Sequence, residues 1–360
     1  MSNVVTERAF GRVNLIGEHT DYNGGWVLPT AIQQFTQITL EKTGDNLVQL
    51  ISSADPHHGK KRDFEYKLGE ETKTETWVDY LQGATKLLSE AVASKGQKIT
   101  GMKVHIESTI PEGSGLSSSA ALEISFLKAM RSAYGLTMTD VELALLAQRI
   151  ENEFVGARVG IMDQMACSLA KAGEALFLDT KDLTYEQLKL PLESVDILII
   201  NSGISHRLSS TGGYNERRAQ CEEACKLLGI KELRDITLEK LLKADLPELL
   251  MKRARHVVSE NARVFEAVSA IKEKDLVRLG QLFAQSHASM RDDYDVSIPE
   301  IDLLVSLCAK DSNVYGARLT GGGFGGSIVA LTKKGQSNAV AEKVVKAYHE
   351  QTKEKATVLS

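Results

Sequence analysis

A mixed helix-and-strand (α+β) protein of two domains is what this sequence predicts, and three observations carry the expectation. The chain has 360 residues, long for a single hydrophobic core. Its early part alternates apolar and polar residues in the manner of strands, whereas later segments carry apolar residues at helical spacing. Hydrophobic residues make up 42% and charged residues 25%, the balance of a folded, soluble chain and not of a disordered one.

The same composition excludes several classes. A net charge of −5 leaves no basic surplus for nucleic acid. No apolar run approaches the ~20 residues needed to cross a bilayer, and the opening MSNVVTERAFGR lacks the apolar core of a signal peptide. The four cysteines (Cys167, Cys221, Cys225, Cys308) are too sparse for a disulfide framework. Cys221 and Cys225 stand at helical i,i+4 spacing, not as Cys-x-x-Cys. The expectation is a cytoplasmic monomer with reduced thiols, whose partners are small molecules and not nucleic acid or membrane.

Element by element, GWVLPTAI and QFTQITLEK read as half-buried strands, and NLVQLISS continues the pattern up to the turn-like SADPHHGKK. His57 and His58 beside Asp55 invite a metal reading. Adjacent residues on a Pro/Gly turn point in different directions, so a solvated loop is favoured. WVDYLQGATKLLSEAVA has helical spacing through Leu81, Ala84, Leu87, Leu88 and Ala91, with Ser94-Lys95-Gly96 as its stop. GMKVHIES is the next strand.

Two stretches carry the chemistry. Phe10-Gly-Arg-Val-Asn-Leu-Ile-Gly-Glu-His-Thr-Asp-Tyr-Asn-Gly-Gly25 leads from an apolar segment straight into carboxylates and an imidazole. It has Arg12, Asn14, Glu18, His19 and Asp21 among four glycines. That order suits a strand delivering polar groups to a ligand, with glycines allowing close backbone approach. The second stretch, Ile110-Pro-Glu-Gly-Ser-Gly-Leu-Ser-Ser-Ser-Ala-Ala-Leu-Glu123, passes directly into a helix. Its turn and the helix N-terminus can gather backbone N–H groups into an anion nest. An N-capped helix after a glycine turn needs only one serine, and Ser117, Ser118 and Ser119 exceed that need.

The loop is not a Walker motif, since it holds no lysine. Gly321-Gly-Gly-Phe-Gly-Gly326 satisfies Gly-x-Gly-x-x-Gly, yet the strand-like Ser-Ile-Val-Ala-Leu-Thr follows it where a dinucleotide fingerprint must open a helix. A glycine loop closing over a ligand is the better reading. A Thr-x-x-Glu capping box at Thr139 and Glu142 opens another helix, whose apolar stripe is Leu143, Leu146, Ala147, Ile150 and Phe154. Glu151 stands on the margin of that stripe. Solvation is its usual fate, but beside the serine loop it could reach a Mg²⁺ held on phosphates. In Val159-Gly-Ile-Met-Asp-Gln164, Asp163 is either a helix N-cap or a site carboxylate.

Taken in order, GRVNLIGEHTDYNGG, IPEGSGLSSSAALE, GIMDQ and RLTGGGFGG resemble the signatures of the small-molecule kinase superfamily typified by galactokinase, homoserine kinase, mevalonate kinase and phosphomevalonate kinase. The opening motif resembles the galactokinase branch in particular, as do SHASMRDDYDVSIPEID (Ser286 to Asp302), NSGISHRLSSTGGYNERRAQCEEA (Asn201 to Ala224) and RARHVVSE (Arg253 to Glu260). The matches extend from Gly11 to Gly326.

The resemblance implies an α+β fold of two lobes with the active site between them. Residues 1–182 would carry the sugar motif and ATP phosphate loop, and residues 183–360 the glycine-rich third motif. It implies transfer of the γ-phosphoryl group of ATP to the anomeric hydroxyl of D-galactose, with Mg²⁺. By position, Glu18, His19, Thr20, Asp21, the Gly160 backbone and Tyr214 resemble sugar contacts, with Asn14 a neighbour. Gly113, Ser114, Gly115, Leu116, Ser117, Ser118 and Ser119 match the ATP loop. Ser119 and Glu151 match magnesium ligands, and Arg12 and Asp163 the catalytic pair. Phe10 departs from the proline usual before Gly-Arg. A related sugar such as N-acetylgalactosamine or arabinose is the alternative substrate. A sensor that binds both ligands without transfer is disfavoured by the unbroken Ser117-Ser-Ser-Ala-Ala121.

Overall fold

The structure, a computed structural model, describes residues 4–53, 62–94, 96–205 and 213–359. His57, His58, Lys95 and residues 206–212 of the Asn201 segment lie outside the described residues. The chain opens with strands β1 (Val4–Asn14), β2 (Trp26–Val27), β3 (Pro29–Lys42), β4 (Leu47–Ser52) and β5 (Arg62–Lys67). Helix α1 (Val78–Ala93), strand β6 (Met102–Ser108) and helices α2 (Ser118–Tyr134), α3 (Asp140–Arg149) and α4 (Met162–Leu169) follow. Next come β7 (Glu174–Asp179), β8 (Tyr185–Lys189), β9 (Val195–Asn201), α5 (Gly213–Leu228) and α6 (Leu238–Leu242). The chain ends with α7 (Glu248–Glu273), α8 (Leu276–Asp292), α9 (Pro299–Ala309), β10 (Val314–Thr320), β11 (Ser327–Lys333), α10 (Ser337–Thr352) and β12 (Thr357–Val358).

Two compact units divide the chain, and neither is continuous. The first holds Met1–Gly11, Gln33–Pro111 and Ser117–Leu169; the second holds Arg12–Ile32, Glu112–Leu116 and Ala170–Ser360. The opening motif from Arg12 onward and half of the serine loop are counted with the second unit.

In the first unit, β3 pairs antiparallel with β6 from Thr36–Ser108 to Lys42–Met102, and β4 runs parallel to β6. Alternation works as the sequence predicts: Ile38, Leu40, Val48, Leu50, Val104 and Ile106 are buried. Phe10 sits edge-on to Phe35 and Arg8 lies over the same ring, so the residue replacing proline stacks on the neighbouring strand. Helix α1 closes on the segment after α3 because Gly83 has no side chain. A Cβ there would stand 2.7 Å from Ile150 and 3.1 Å from Phe154.

In the second unit, an antiparallel sheet runs β10-β11-β9-β12. Its buried residues Leu198, Ile200, Leu319, Ile328 and Ala330 share a core with Ala254 and Val257 of α7 and Met290 of α8. Strand β7 pairs with β2 and β8 in the same unit. All four cysteines are buried and none is in a disulfide, Cys221 and Cys225 standing on α5. Among the described residues, no helix is long and apolar enough to cross a membrane.

Candidate active site

In the second unit, β1 ends at Asn14 and the chain turns under itself before β2. The backbone pairs Leu15 with Leu28 and Leu28 with Ile16, each N–H to carbonyl at 3.0 Å. The Thr20 hydroxyl lies 2.8 Å from the Gly17 carbonyl and 2.7 Å from that of Trp26. Thr20 thus braces the turn from inside. Asp21 opens a short 3-10 turn, Asp21–Asn23, and stays half-buried.

His19 adopts φ +61°, a left-handed conformation that costs a side-chain-bearing residue energy and concentrates at functional sites. Its Nδ1 is 2.8 Å from the Tyr22 hydroxyl, which is 2.7 Å from that of Tyr294. Its ring lies 4.7 Å from the Tyr294 ring and 5.4 Å from that of Tyr214. Burial, aided by the neighbouring His256, lowers its pKa to about 3, so the ring is neutral at pH 7. Its Nε2 is buried and makes no hydrogen bond of full geometry among the described residues, although the Gly322 backbone lies near enough to favour the charged ring. A buried polar atom left in that state is costly unless a ligand or water satisfies it.

Glu18 is buried too, and its carboxylate is heavily engaged. Oε2 accepts from Asn14 Nδ2 and Arg318 Nη2, each at 2.7 Å, and Oε1 accepts from the Gly321 N–H at 2.8 Å. Burial leaves its pKa raised, and the Arg318 guanidinium and the Gly321 N–H reduce that rise without reversing it. Arg318 is 0% exposed and also donates to the carbonyls of Asn14 and Leu15 at 3.0 and 2.9 Å. Glu260 completes this charge cluster. Its Oε1 accepts from the Gly17 N–H at 2.9 Å and from Ser286 at 2.6 Å, and its Oε2 from Arg263 at 2.6 Å. Burial opposes ionisation of Glu260, but Arg263 and Arg318 prevail and hold its pKa well below the usual range.

The serine loop shows the backbone of a nest. Gly113, Gly115 and Ser117 have φ of +68°, +74° and +61°, and the residues between them do not share that sign. Such alternation turns consecutive N–H groups toward one point. Ser117 stands where the N-cap of α2 should be, yet it makes no side-chain cap bond, and its hydroxyl is buried without a partner among the described residues. The capped-helix alternative therefore fails at Ser117. The N–H groups that open α2 keep their capacity for an anion.

Residues 113–116 are gripped inside the second unit. Arg12 donates from Nη1 to the Gly115 carbonyl at 2.6 Å and from its backbone N–H to Leu116 at 3.2 Å. Ser327 donates to the Ser114 carbonyl at 2.8 Å. The glycine loop presses on the same segment, since a Cβ on Gly321 would stand 2.9 Å from the Gly115 carbonyl oxygen. Strand β11 follows Gly326 directly, as its alternation predicts, so this glycine run does not open a helix.

In the first unit, Ser119 on α2 donates to Glu151 Oε1 at 3.2 Å, and Gln164 donates to the same oxygen at 3.2 Å. Glu151 is 5% exposed. The chain after α3 continues as a π-turn over Ile150–Val155, which rotates side chains away from the positions a 3.6-residue repeat assigns. That is why a glutamate read as marginal is buried, and π-turns recur at functional sites. Burial, then the charge of Asp163, raises the Glu151 pKa to about 7. Asp163 lies in the first turn of α4, past the N-cap position, and is half-buried, with Gly160 buried just before it.

One turn beyond Ser119, Glu123 is 0% exposed, and neither of its oxygens has a hydrogen-bond partner among the described residues. Burial and the charge of Glu151 raise its pKa well above the usual range. No group of three or more His, Cys, Asp or Glu that could hold a metal ion occurs among the described residues. Ser119 and Glu151 instead offer one hydroxyl and one carboxylate. That donor set suits Mg²⁺, which takes few protein oxygens and completes its shell with phosphates and water.

Arg318, Glu260, Tyr294 and Glu123 were not among the expected site residues. Their only sequence signal was membership of the quoted motifs RLTGGGFGG, RARHVVSE, SHASMRDDYDVSIPEID and IPEGSGLSSSAALE.

Comparison with known families finds matches in three segments of the chain. The galactokinase galactose-binding signature matches residues 3–42, the GHMP kinases N terminal domain residues 79–171, and the GHMP kinases C terminal domain residues 267–350. A galactokinase from Thermotoga neapolitana is 40% identical over 346 residues, covering 96% of this chain and 94% of the relative. One from Roseiflexus sp. is 40% identical over 361 residues, covering 98% and 90%. The crystal structure of Lactococcus lactis galactokinase complexed with galactose superposes with a TM-score of 0.91 at 35% identity, covering 99% of this chain and 92% of that one. Methanococcus jannaschii mevalonate kinase matches with a TM-score of 0.68 at 19% identity, covering 98% and 96%, a likeness of fold alone.

Proposed function

The chain belongs to the galactokinase family, kinases that transfer phosphate from ATP, and from that premise we propose that it phosphorylates the anomeric hydroxyl of D-galactose to give galactose 1-phosphate. The observation that carries the choice of ligand is His19. A neutral imidazole is held by Tyr22 at 2.8 Å while its buried Nε2 has no hydrogen bond of full geometry among the described residues. A sugar hydroxyl, which both donates and accepts, satisfies such an atom. Asp21 and Tyr214 supply further sugar contacts, while Thr20 shapes the turn and Glu18 anchors it.

The Gly113–Ser119 loop binds the ATP phosphates through the N–H groups of its nest and of α2. Phosphoryl transfer through a loose transition state needs positioning and positive charge more than covalent help. Arg12 provides charge from a side chain already fixed on Gly115. Asp163 accepts or orients the proton of the attacking hydroxyl. Ser119 and Glu151 would hold Mg²⁺, which when bound neutralises phosphate charge. The enzyme is read as a cytoplasmic monomer.

The test is ADP release across a panel of free sugars. Galactose should exceed glucose in kcat/KM by a large factor, because a site built of hydrogen bonds can reject a mismatched epimer by up to ~10⁴. Equal values for the two epimers would contradict the assignment. Faster turnover of N-acetylgalactosamine or arabinose would replace galactose with the related sugar.

A further inference from the structure

Glu18 stands in the sugar motif, yet its carboxylate accepts hydrogen bonds from three protein donors. Two of them, to Asn14 and Arg318, fix the motif and strand β10, and the third reaches the Gly321 N–H at 2.8 Å. Gly321, at φ +86°, is the residue whose missing side chain lets the glycine loop lie on the Gly115 carbonyl, 2.9 Å from a would-be Cβ. Arg12, from the same motif, holds that same carbonyl at 2.6 Å. Sugar motif, glycine loop and the first half of the phosphate loop thus close a ring of contacts inside one unit. Glu18 is the bridge across it.

We propose that Glu18, with Arg318 as its counter-ion, is a positioning residue for the nucleotide as well as for the sugar: its carboxylate sets the glycine loop against the phosphate loop. Three features favour a strut over a simple sugar ligand. Three of the roughly four acceptor positions of a carboxylate are taken by protein donors. Arg318 is fully buried, so it cannot swing away from Glu18 without stranding a charge. The Gly321 bond is charge-assisted, the stronger class of hydrogen bond.

The proposal rests on the reading of Gly113–Ser119 as the ATP loop, so the test measures nucleotide binding with sugar absent. Calorimetry with Mg²⁺ and a non-hydrolysable ATP analogue compares wild type with Glu18→Gln. Glutamine keeps the shape but must turn an N–H₂ toward either Gly321 or the Arg318–Asn14 pair, so one contact is lost whichever way it points. Nucleotide affinity should fall roughly tenfold or more, the range for losing a hydrogen bond to a charged group. Galactose affinity, measured without nucleotide, should fall as well.

If Glu18→Gln does not fold, Arg318→Lys and Arg318→Met answer the same question. Lysine keeps the charge without the fork, so nucleotide binding should weaken with lysine and weaken further with methionine. Unchanged nucleotide affinity in a folded Glu18 or Arg318 variant, with only galactose binding lost, would reduce Glu18 to a sugar ligand and overturn the strut. Wild-type protein that binds no nucleotide would overturn the reading of the loop, and the strut with it.

Discussion

Asp163 and Glu151 can be separated by what each loses on becoming an amide. Asp163→Asn keeps shape and an acceptor but removes the charge. Galactose affinity should survive while kcat falls by ~10²–10⁴, the usual worth of general acid–base help. A loss below about tenfold, read from steady-state rates, would assign Asp163 to orienting the hydroxyl. Glu151→Gln retains a neutral oxygen on a buried side chain. Its activity should fall and be partly restored by raising Mg²⁺, with galactose binding unchanged; full activity at low Mg²⁺ would remove Glu151 from the metal site. At this scale the polar and glycine-rich loops stood out in the sequence, because runs of Gly, Ser, His and Asp have few other uses. Arg318 and Glu260 did not. A charged residue in an alternating strand or helix reads as solvent-facing until its partner is known, and their partners Glu18 and Gly17 lie some 300 and 243 positions away.

The elements around His19 have a measurable pH signature. Burial lowers the pKa of His256 to about 4, against 6.5 in the unfolded chain. The unfolded state therefore binds the extra proton first as pH falls. This contribution to stability is complete above pH 6.5 and is lost progressively toward pH 4. Glu151 works in the opposite direction, because its raised pKa makes the folded state take up a proton first. The wild-type curve mixes both effects, and the difference from His256→Gln isolates one. Urea denaturation should show the stability advantage of wild type over that variant shrinking by about 2 kcal/mol between pH 7 and pH 5. A constant difference would mean that His256 is not held neutral. Strands and helices were legible from periodicity throughout. What periodicity misplaced was Glu151, because the π-turn at Ile150–Val155 breaks the 3.6-residue rule, and Ser117, whose left-handed φ replaces an ordinary cap.

For the whole chain, length suggested two domains but not their discontinuous make-up. Contacts such as Asn14 N–H to Thr320 at 3.0 Å join segments 306 residues apart, and no local pattern encodes them. The motifs, by contrast, sit in loops whose backbone is strained: His19, Ser117 and Phe324 all have positive φ. Strain of that kind persists only where the surrounding structure over-determines it, and it clusters at functional sites. The central claim is that this chain places phosphate on the anomeric oxygen of galactose. The most direct measurement is ³¹P and ¹H NMR of the product formed from ATP, Mg²⁺ and D-galactose. A single sugar phosphate whose phosphorus couples to the anomeric proton is the predicted result. Phosphate on another hydroxyl, or release of inorganic phosphate with no sugar phosphate, would contradict it.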